Sequence, residues 1–313
     1  MLESLIVRVQ NMLVFRLQAF VSIPSLGESM LATEPVTGSI RKAEELQFEN
    51  QGFLHLPQLM SPELTQRVKA AYQQAQDEQL AGPMSSEKRP HYDIPFPLEA
   101  DRVFSEIAIL PELLPYLLAT VGDDVQLVQT GARLFPPGKT FTAPWHSDMA
   151  NTLGIDLGHS AHFHVKVHFY FEDLLPNQGC LAFLPGTHRR PREMDRPRPQ
   201  DIDAEKDSVI IVPKAGDAVL FNTHCLHMCL DNTSPADRRT LIYSYSHFWV
   251  KQNPNAQPSE TSWIPNSPLA RQIFGFGVEG VDIFDQRPWA QEKPSTLNTF
   301  RQRLGKKILG RNN

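Results

Sequence analysis

Cysteine is scarce: Cys180, Cys225 and Cys229 are the only three in 313 residues. They cannot all pair within one chain, and their spacing is not that of a secreted disulfide framework, so a reducing, cytoplasmic setting is expected. No run of about 20 apolar residues occurs, which excludes a conventional membrane-spanning helix. Positive charge is not in excess, with 30 Lys and Arg against 35 Asp and Glu, so nothing provides the basic field that nucleic acid requires. There is no G-x-S-x-G turn, no glycine-rich phosphate loop and no G-x-G-x-x-G fingerprint, which disfavours a serine hydrolase or a nucleotide-binding enzyme. Seventeen glycines stand against 26 prolines, a balance that suits turns and interrupted strands and argues against long helical arrays.

The chain divides by character. In residues 1–38, Leu2, Leu5, Ile6, Val9, Leu13 and Leu17 alternate with Glu3, Arg8 and Arg16, then a Pro/Gly/Ser/Thr-rich stretch follows. The pattern is that of an amphipathic segment and linker. It lacks the uninterrupted apolar centre of a secretory leader, and reads as a docking or dimerising helix that leaves a homodimer open, ahead of a disordered or poorly docked arm and a membrane-surface helix. Residues 39–122 carry helical spacing at Ser39 to Gly52, Ser61 to Gln79 and Pro111 to Val121, and Ser61-Pro62-Glu63 is a helix start with an N-cap serine. Ala81 to Arg102 is polar and proline-rich, a loop long enough to cover a site.

From residue 123 to 250, short β-branched and aromatic segments alternate with turn clusters. Val125 to Phe135, Phe163 to Phe171, Cys180 to Leu184, Ser208 to Pro213, Asp217 to Phe221 and Thr240 to Val250 read as strands, which suggests an antiparallel β-sandwich or barrel-like jelly roll. There is no internal repeat. The catalytic domain is expected over residues 39–285, with residues 286–313 a basic, weakly helical tail.

The chemistry centres on Pro144-Trp145-His146-Ser147-Asp148. A histidine and a carboxylate two residues apart on an extended strand point the same way, and the distant His227 can complete a three-ligand face. Two histidines and one carboxylate with open positions opposite suit non-haem Fe(II) doing oxygen chemistry. Arg238 follows, and a buried guanidinium there needs an anionic partner such as a small dicarboxylate.

These residues resemble the phytanoyl-CoA dioxygenase-like branch of the Fe(II)/2-oxoglutarate oxygenases. The resemblance is carried by His146-Ser147-Asp148, Asn177-Gln178-Gly179-Cys180-Leu181, Leu184-Pro185-Gly186-Thr187-His188, Gly216-Asp217, His227, Asn232 and Arg238. It implies a mainly β fold with helical additions around a double-stranded β-helix, a jelly-roll, cupin-like core. It implies Fe(II) held by His146, Asp148 and His227, the distal carboxylate of 2-oxoglutarate held by Arg238, and O2 as oxidant. Gln129 occupies a position from which relatives touch the co-substrate. Many relatives carry serine two residues after the distal histidine, where this chain has Cys229. Thr240, two residues past Arg238, is a candidate to supply the missing hydroxyl.

Other groups compete for a role. His162, His164 and His168 alternate with apolar residues, so one face of that strand is rich in imidazole. They read as polar lining of the jelly-roll interior rather than a rival metal cluster, with His168 the best candidate for contact with substrate or co-substrate. Cys225, His227 and Cys229 lack the paired spacing of a zinc site, and His188 and His224 read as structural. The expected reaction is hydroxylation of an unactivated C–H bond of a small metabolite or natural-product intermediate, releasing succinate and CO2. The same iron could instead desaturate, cyclise or epimerise, whereas halogenation is disfavoured because Asp148 fills the position that a halide would take. A non-catalytic cupin-like binding protein is the alternative from outside the enzymes. Arg189, Arg190, Arg192, Arg196 and Arg198 make the Arg189 to Asp207 loop basic, in keeping with either a solvated loop or an anionic substrate.

Overall fold

The computed structural model describes residues 40–79, 91–138, 145–148, 162–189, 202–265 and 267–276. The amphipathic segment 1–38, the basic tail 286–313 and the arginines at 190, 192, 196 and 198 lie outside the described residues.

Two antiparallel sheets form the core. The larger has six strands in the order β1-β7-β4-β9-β3-β2, and the smaller has three in the order β6-β5-β8. In chain order these are β1 (Phe53–Leu56), β2 (Tyr92–Ile94), β3 (Val125–Phe135), β4 (His164–Phe169), β5 (Leu181–Phe183), β6 (Val209–Ile211), β7 (Ala218–Asn222), β8 (His227–Cys229) and β9 (Arg238–His247). The six expected strands are all present, with ends shifted by a few residues.

Period-two alternation assigns each face of the large sheet. Val165, Val167 and Phe169 of β4, Ala218 and Leu220 of β7, and Leu241, Tyr243 and Tyr245 of β9 join one apolar core with the helices. The helices are α1 (Lys42–Gln51), α2 (Pro62–Gln79), α3 (Pro97–Ala100), α4 (Arg102–Glu106), α5 (Leu114–Thr120), α6 (Ala204–Asp207) and α7 (Pro268–Ile273). Ser61 caps α2 as expected, accepting from the Leu64 N–H at 3.2 Å. The Tyr243 and Tyr245 hydroxyls donate to the carbonyls of Phe104 and Ala108 at 2.6 and 3.0 Å, tying β9 to the helical layer. The opposite face carries Val219 and Phe221 of β7, which pack with Leu181, Phe183 and Cys229 of the small sheet.

Two expectations need correction. Residues 39–122 are not purely helical support, because β1 pairs with β7 and β2 pairs with β3 at opposite edges of the large sheet. Each strand is only three or four residues long, too short for alternation to distinguish it from the flanking turns. Ala81 to Arg102 is likewise not one loop, since β2 and α3 lie within it, although residues 80–90 are outside the described set.

Candidate metal centre

His146 and His227 are far apart in sequence and directly opposite each other in space. An isolated antiparallel bridge joins them through N–H···O bonds of 3.0 Å in both directions, so both rings leave the same side, with centroids 4.5 Å apart. On its other edge β8 is fixed by the pairing of His227 with Phe183 in β5. The expectation that His146 and Asp148 share a strand holds only for His146, because the chain is no longer paired at Asp148. Between them, Ser147 donates its hydroxyl to the Thr223 carbonyl at 3.1 Å and fixes the turn. Asp148 still converges on the histidines, with Oδ1 3.8 Å from His146 Nε2 and Oδ2 3.4 Å from His227 Nε2.

The three prospective ligand atoms lie within 4.8 Å of one another, the only such group among the described residues. The donor set fits a non-haem iron. His227 Nδ1 sits 2.9 Å from the Cys225 carbonyl, which requires the proton on Nδ1 and leaves the Nε2 lone pair toward the cavity. No thiol joins the group: Cys225 contacts the carbonyls of Gln51 and Leu184, and Cys229 contacts that of Gly179. The rival histidine cluster does not form either. His162 bonds to Glu49 and Asn222, and His164 bonds to the Thr223 hydroxyl.

Asp148 is ionised despite its burial. Burial would push its carboxyl up, but the Lys166 ammonium, whose Nζ is 2.8 Å from Oδ2, and the two histidines outweigh it and hold the group well below the usual carboxylate range.

A cavity of about 360 Å³ opens beside these groups, within the size range of small-molecule sites. Arg238, the first residue of β9, points into it and is only 3% exposed. Its Nη1 donates to Cys229 Sγ at 3.0 Å and the Tyr170 hydroxyl lies close enough to act on its charge, while Nε and Nη2 complete no well-formed hydrogen bond with the protein. A buried guanidinium with two idle donors fits a ligand carboxylate, because leaving such donors desolvated and unpaired is costly. The family-like sequence around it acts as a brace. Gln178 donates to the Asp237 carbonyl at 2.8 Å, and Asn232 donates to Phe135 and Ala236 at 3.0 and 2.8 Å. Gly179 has a left-handed φ of 69°, and a Cβ there would lie 3.0 Å from the Phe135 ring and 3.3 Å from Arg238 Cδ. Elsewhere Thr187 accepts from the Leu226 N–H at 2.9 Å just before β8, and Asp217 accepts from Gln58 and Lys214 N–H groups at 3.0 and 2.9 Å.

Gln129 and His168 also line the cavity. His168 is buried with Nδ1 unpartnered, and burial followed by the nearby Arg238 charge keeps its pKa well below the usual imidazole range, so it is neutral. Thr240 lies on the same face of β9 between Arg238 and Ile242, and its hydroxyl has no partner, but it is not among the residues that line the cavity. His188 is structural, with Nε2 bonded to the Glu49 carbonyl at 3.1 Å. Sequence reasoning missed Lys166, Arg133, Asp93, Ser244 and Asn255, all of which line the cavity. For Lys166 a signal existed, because it lies between His164 and His168 with the inward period of β4.

A family model for phytanoyl-CoA dioxygenase matches residues 48–240. The chain belongs to the phytanoyl-CoA dioxygenase family. It is 22% identical over 257 residues to an ectoine dioxygenase of Streptomyces avermitilis, covering 73% of this chain and 86% of that protein. It is 25% identical over 273 residues to the peroxisomal phytanoyl-CoA dioxygenase of Mus musculus, covering 76% and 77%. Similar solved structures include HygX from Streptomyces hygroscopicus with nickel and 2-oxoglutarate bound, at 15% identity and TM-score 0.56 over 68% of this chain and 90% of that one. Another is SnoN, a non-haem α-ketoglutarate-dependent epimerase from nogalamycin biosynthesis, at 16% identity and TM-score 0.53 over 65% and 79%. These neighbours carry the double-stranded β-helix that the family resemblance implies. This phytanoyl-CoA dioxygenase family member is an enzyme that depends on Fe(II), 2-oxoglutarate and O2. Among its described residues, no single helix is long and apolar enough to cross a membrane.

Proposed function

We propose that this enzyme hydroxylates an unactivated C–H bond of a small molecule, with His146, Asp148 and His227 holding Fe(II) and Arg238 holding the far carboxylate of 2-oxoglutarate. The observation that carries the reading is the convergence, in one cavity, of three ligand atoms within 4.8 Å and a buried arginine with two idle donors. Iron bound there would supply the oxidation of 2-oxoglutarate by O2 to succinate and CO2, coupled to oxidation of the substrate. The protein's part is to bind, orient and exclude water. The Nδ1–H of His227, committed to the Cys225 carbonyl, aims that ring. The neutral His168 and the amide of Gln129 offer hydrogen bonds from the cavity wall to co-substrate or substrate without adding charge. The three buried cysteines, none of which forms a disulfide among the described residues, favour a reducing, cytoplasmic compartment.

The test is spectroscopic before it is catalytic. Under anaerobic conditions, Fe(II) and 2-oxoglutarate should give the wild-type protein a metal-to-ligand charge-transfer band, and admission of O2 should release succinate. His146→Ala and His227→Ala should lose both signals. A band of full intensity in either variant refutes the ligand assignment, and a wild-type band without succinate favours the non-catalytic alternative.

A further inference from the structure

We propose that Lys166 is the anchor for a carboxylate on the primary substrate, which makes that substrate a small carboxylic acid. The inference rests on the site reading above and extends it to substrate class. Lys166 projects from β4 between the inward-facing His164 and His168, opposite Ser244 of β9, and its side chain is only 17% exposed. It lines the same cavity as the three candidate metal ligands.

Charge balance carries the argument. The ionic side chains that line the cavity are Arg133, Lys166, Arg238, Asp93 and Asp148. Arg133 and Asp93 neutralise each other, with Nε 2.9 Å from Oδ1. Of the remainder, two are cations and one is an anion. Divalent iron and doubly charged 2-oxoglutarate cancel, so the loaded site keeps one surplus positive charge in a partly desolvated space.

That surplus falls on Lys166. Its partner is Asp148 Oδ2 at 2.8 Å, and a carboxylate committed to a dication has less charge to offer a neighbouring ammonium. Arg238 is turned toward the co-substrate, and among the described residues that line the cavity no further acid is left for Lys166. One carboxylate on the substrate closes the balance, whereas a doubly charged phosphate would overshoot it. Because the ammonium touches a prospective iron ligand, the anchored group would lie beside the reacting centre, and the oxidised carbon would be only a few bonds from the carboxylate. Ser244 and Gln129 provide neutral hydrogen-bonding groups along the same cavity.

The experiment uses the anaerobic Fe(II)·2-oxoglutarate enzyme. Acetate, propanoate, butanoate and pentanoate, each beside its primary amide, are titrated while the charge-transfer band and the ligand NMR signals are followed. At least one acid should bind wild type about tenfold or more tightly than its amide. Lys166→Met should erase that preference while changing 2-oxoglutarate affinity less than about threefold, and Lys166→Arg should retain it. The proposal is overturned if no acid outbinds its amide, or if the preference survives in Lys166→Met. It is also overturned if Lys166→Met loses iron and co-substrate along with the acid, which would make the lysine a buttress for Asp148. Failure of the wild-type band to form at all would instead bring down the site reading itself. A normal band without acid preference removes only the anchor.

Discussion

Replacing Arg238 by lysine separates co-substrate binding from metal binding. The wild-type guanidinium is buried, has one nitrogen on the Cys229 thiol, and keeps Nε and Nη2 unpaired toward the cavity. Those two donors are disposed to take both oxygens of one carboxylate, a fork that a single ammonium cannot reproduce. Losing one charge-assisted hydrogen bond from a desolvated pair costs roughly 2 to 5 kcal/mol, so 2-oxoglutarate should bind about 30-fold more weakly at the lower end. Iron affinity without co-substrate should change little, because Arg238 is not among the converging ligand atoms. Arg239 is the internal control. It faces the other side of β9, with Nε and Nη2 on the Glu172 carboxylate at 2.9 and 2.6 Å, and Lys69 also reaches that carboxylate at 3.1 Å. Arg239→Lys should therefore leave co-substrate binding near wild type. Anaerobic titration of 2-oxoglutarate into the Fe(II) protein reads both variants. Equal affinity in Arg238→Lys and wild type, or a larger loss in Arg239→Lys, would show that the wrong arginine has been placed in the site.

Three further outcomes follow from the same geometry. Gly179→Ala places a Cβ against Phe135 and Arg238 Cδ in a left-handed backbone, so stability should fall by about 1 to 3 kcal/mol and 2-oxoglutarate affinity should fall with it; denaturation paired with the anaerobic titration checks this, and a fall in stability alone would uncouple the turn from Arg238. Cys229→Ser gives the co-substrate pocket a better donor than a thiol, one whose pKa burial already pushes up, so affinity should rise about two- to tenfold, and an unchanged dissociation constant would place the carboxylate out of its reach. His164 is held near a pKa of about 4, by burial first and the Lys166 charge second, so the folded state resists a proton that the unfolded chain accepts. Its stabilisation is complete above about pH 6.5 and is lost as pH falls toward 4, on the order of 3 kcal/mol, and His164→Asn should flatten the metal-free stability curve across that window in chemical denaturation.

Much of this architecture is legible in the chain because a half-buried strand must alternate. Val165, Val167 and Phe169 against His164, Lys166 and His168 separate core from cavity before any coordinates are known, and the same holds for Leu241, Tyr243 and Tyr245 of β9. The order of the motifs also places Arg238 at a strand start, where it is found. What sequence could not supply were contacts that depend on register. β1 and β2 are too short to carry a pattern, and only pairing with β7 and β3 defines them. Thr240 has the parity of a cavity residue, yet lies on the cavity side of β9 without reaching the lining, because parity gives the face and not the depth. Lys166 has the same parity, on the imidazole-rich face that reads as interior lining, but parity gives no sign that its ammonium would meet Asp148.

The way that β4 and β9 divide their work explains why the site can hold several charges in a protein interior. On the helix side, β9 is fixed by two tyrosine hydroxyls on helical carbonyls and by a packed apolar face. Its cavity side is therefore free to carry Arg238 with donors left over, since the strand does not depend on those donors for its position. β4 follows the same logic, with Val165, Val167 and Phe169 bearing the packing while Lys166 is held at Asp148. Desolvated charge is costly wherever it is unpaired, and here Lys166 and Asp148 meet each other while Arg238 keeps two donors toward the cavity for a ligand. Ligands should accordingly stabilise this fold in proportion to how many of those groups they engage. 2-Oxoglutarate with iron should raise the melting temperature more than either alone, and a carboxylic acid that reaches Lys166 should raise it again in wild type but not in Lys166→Met.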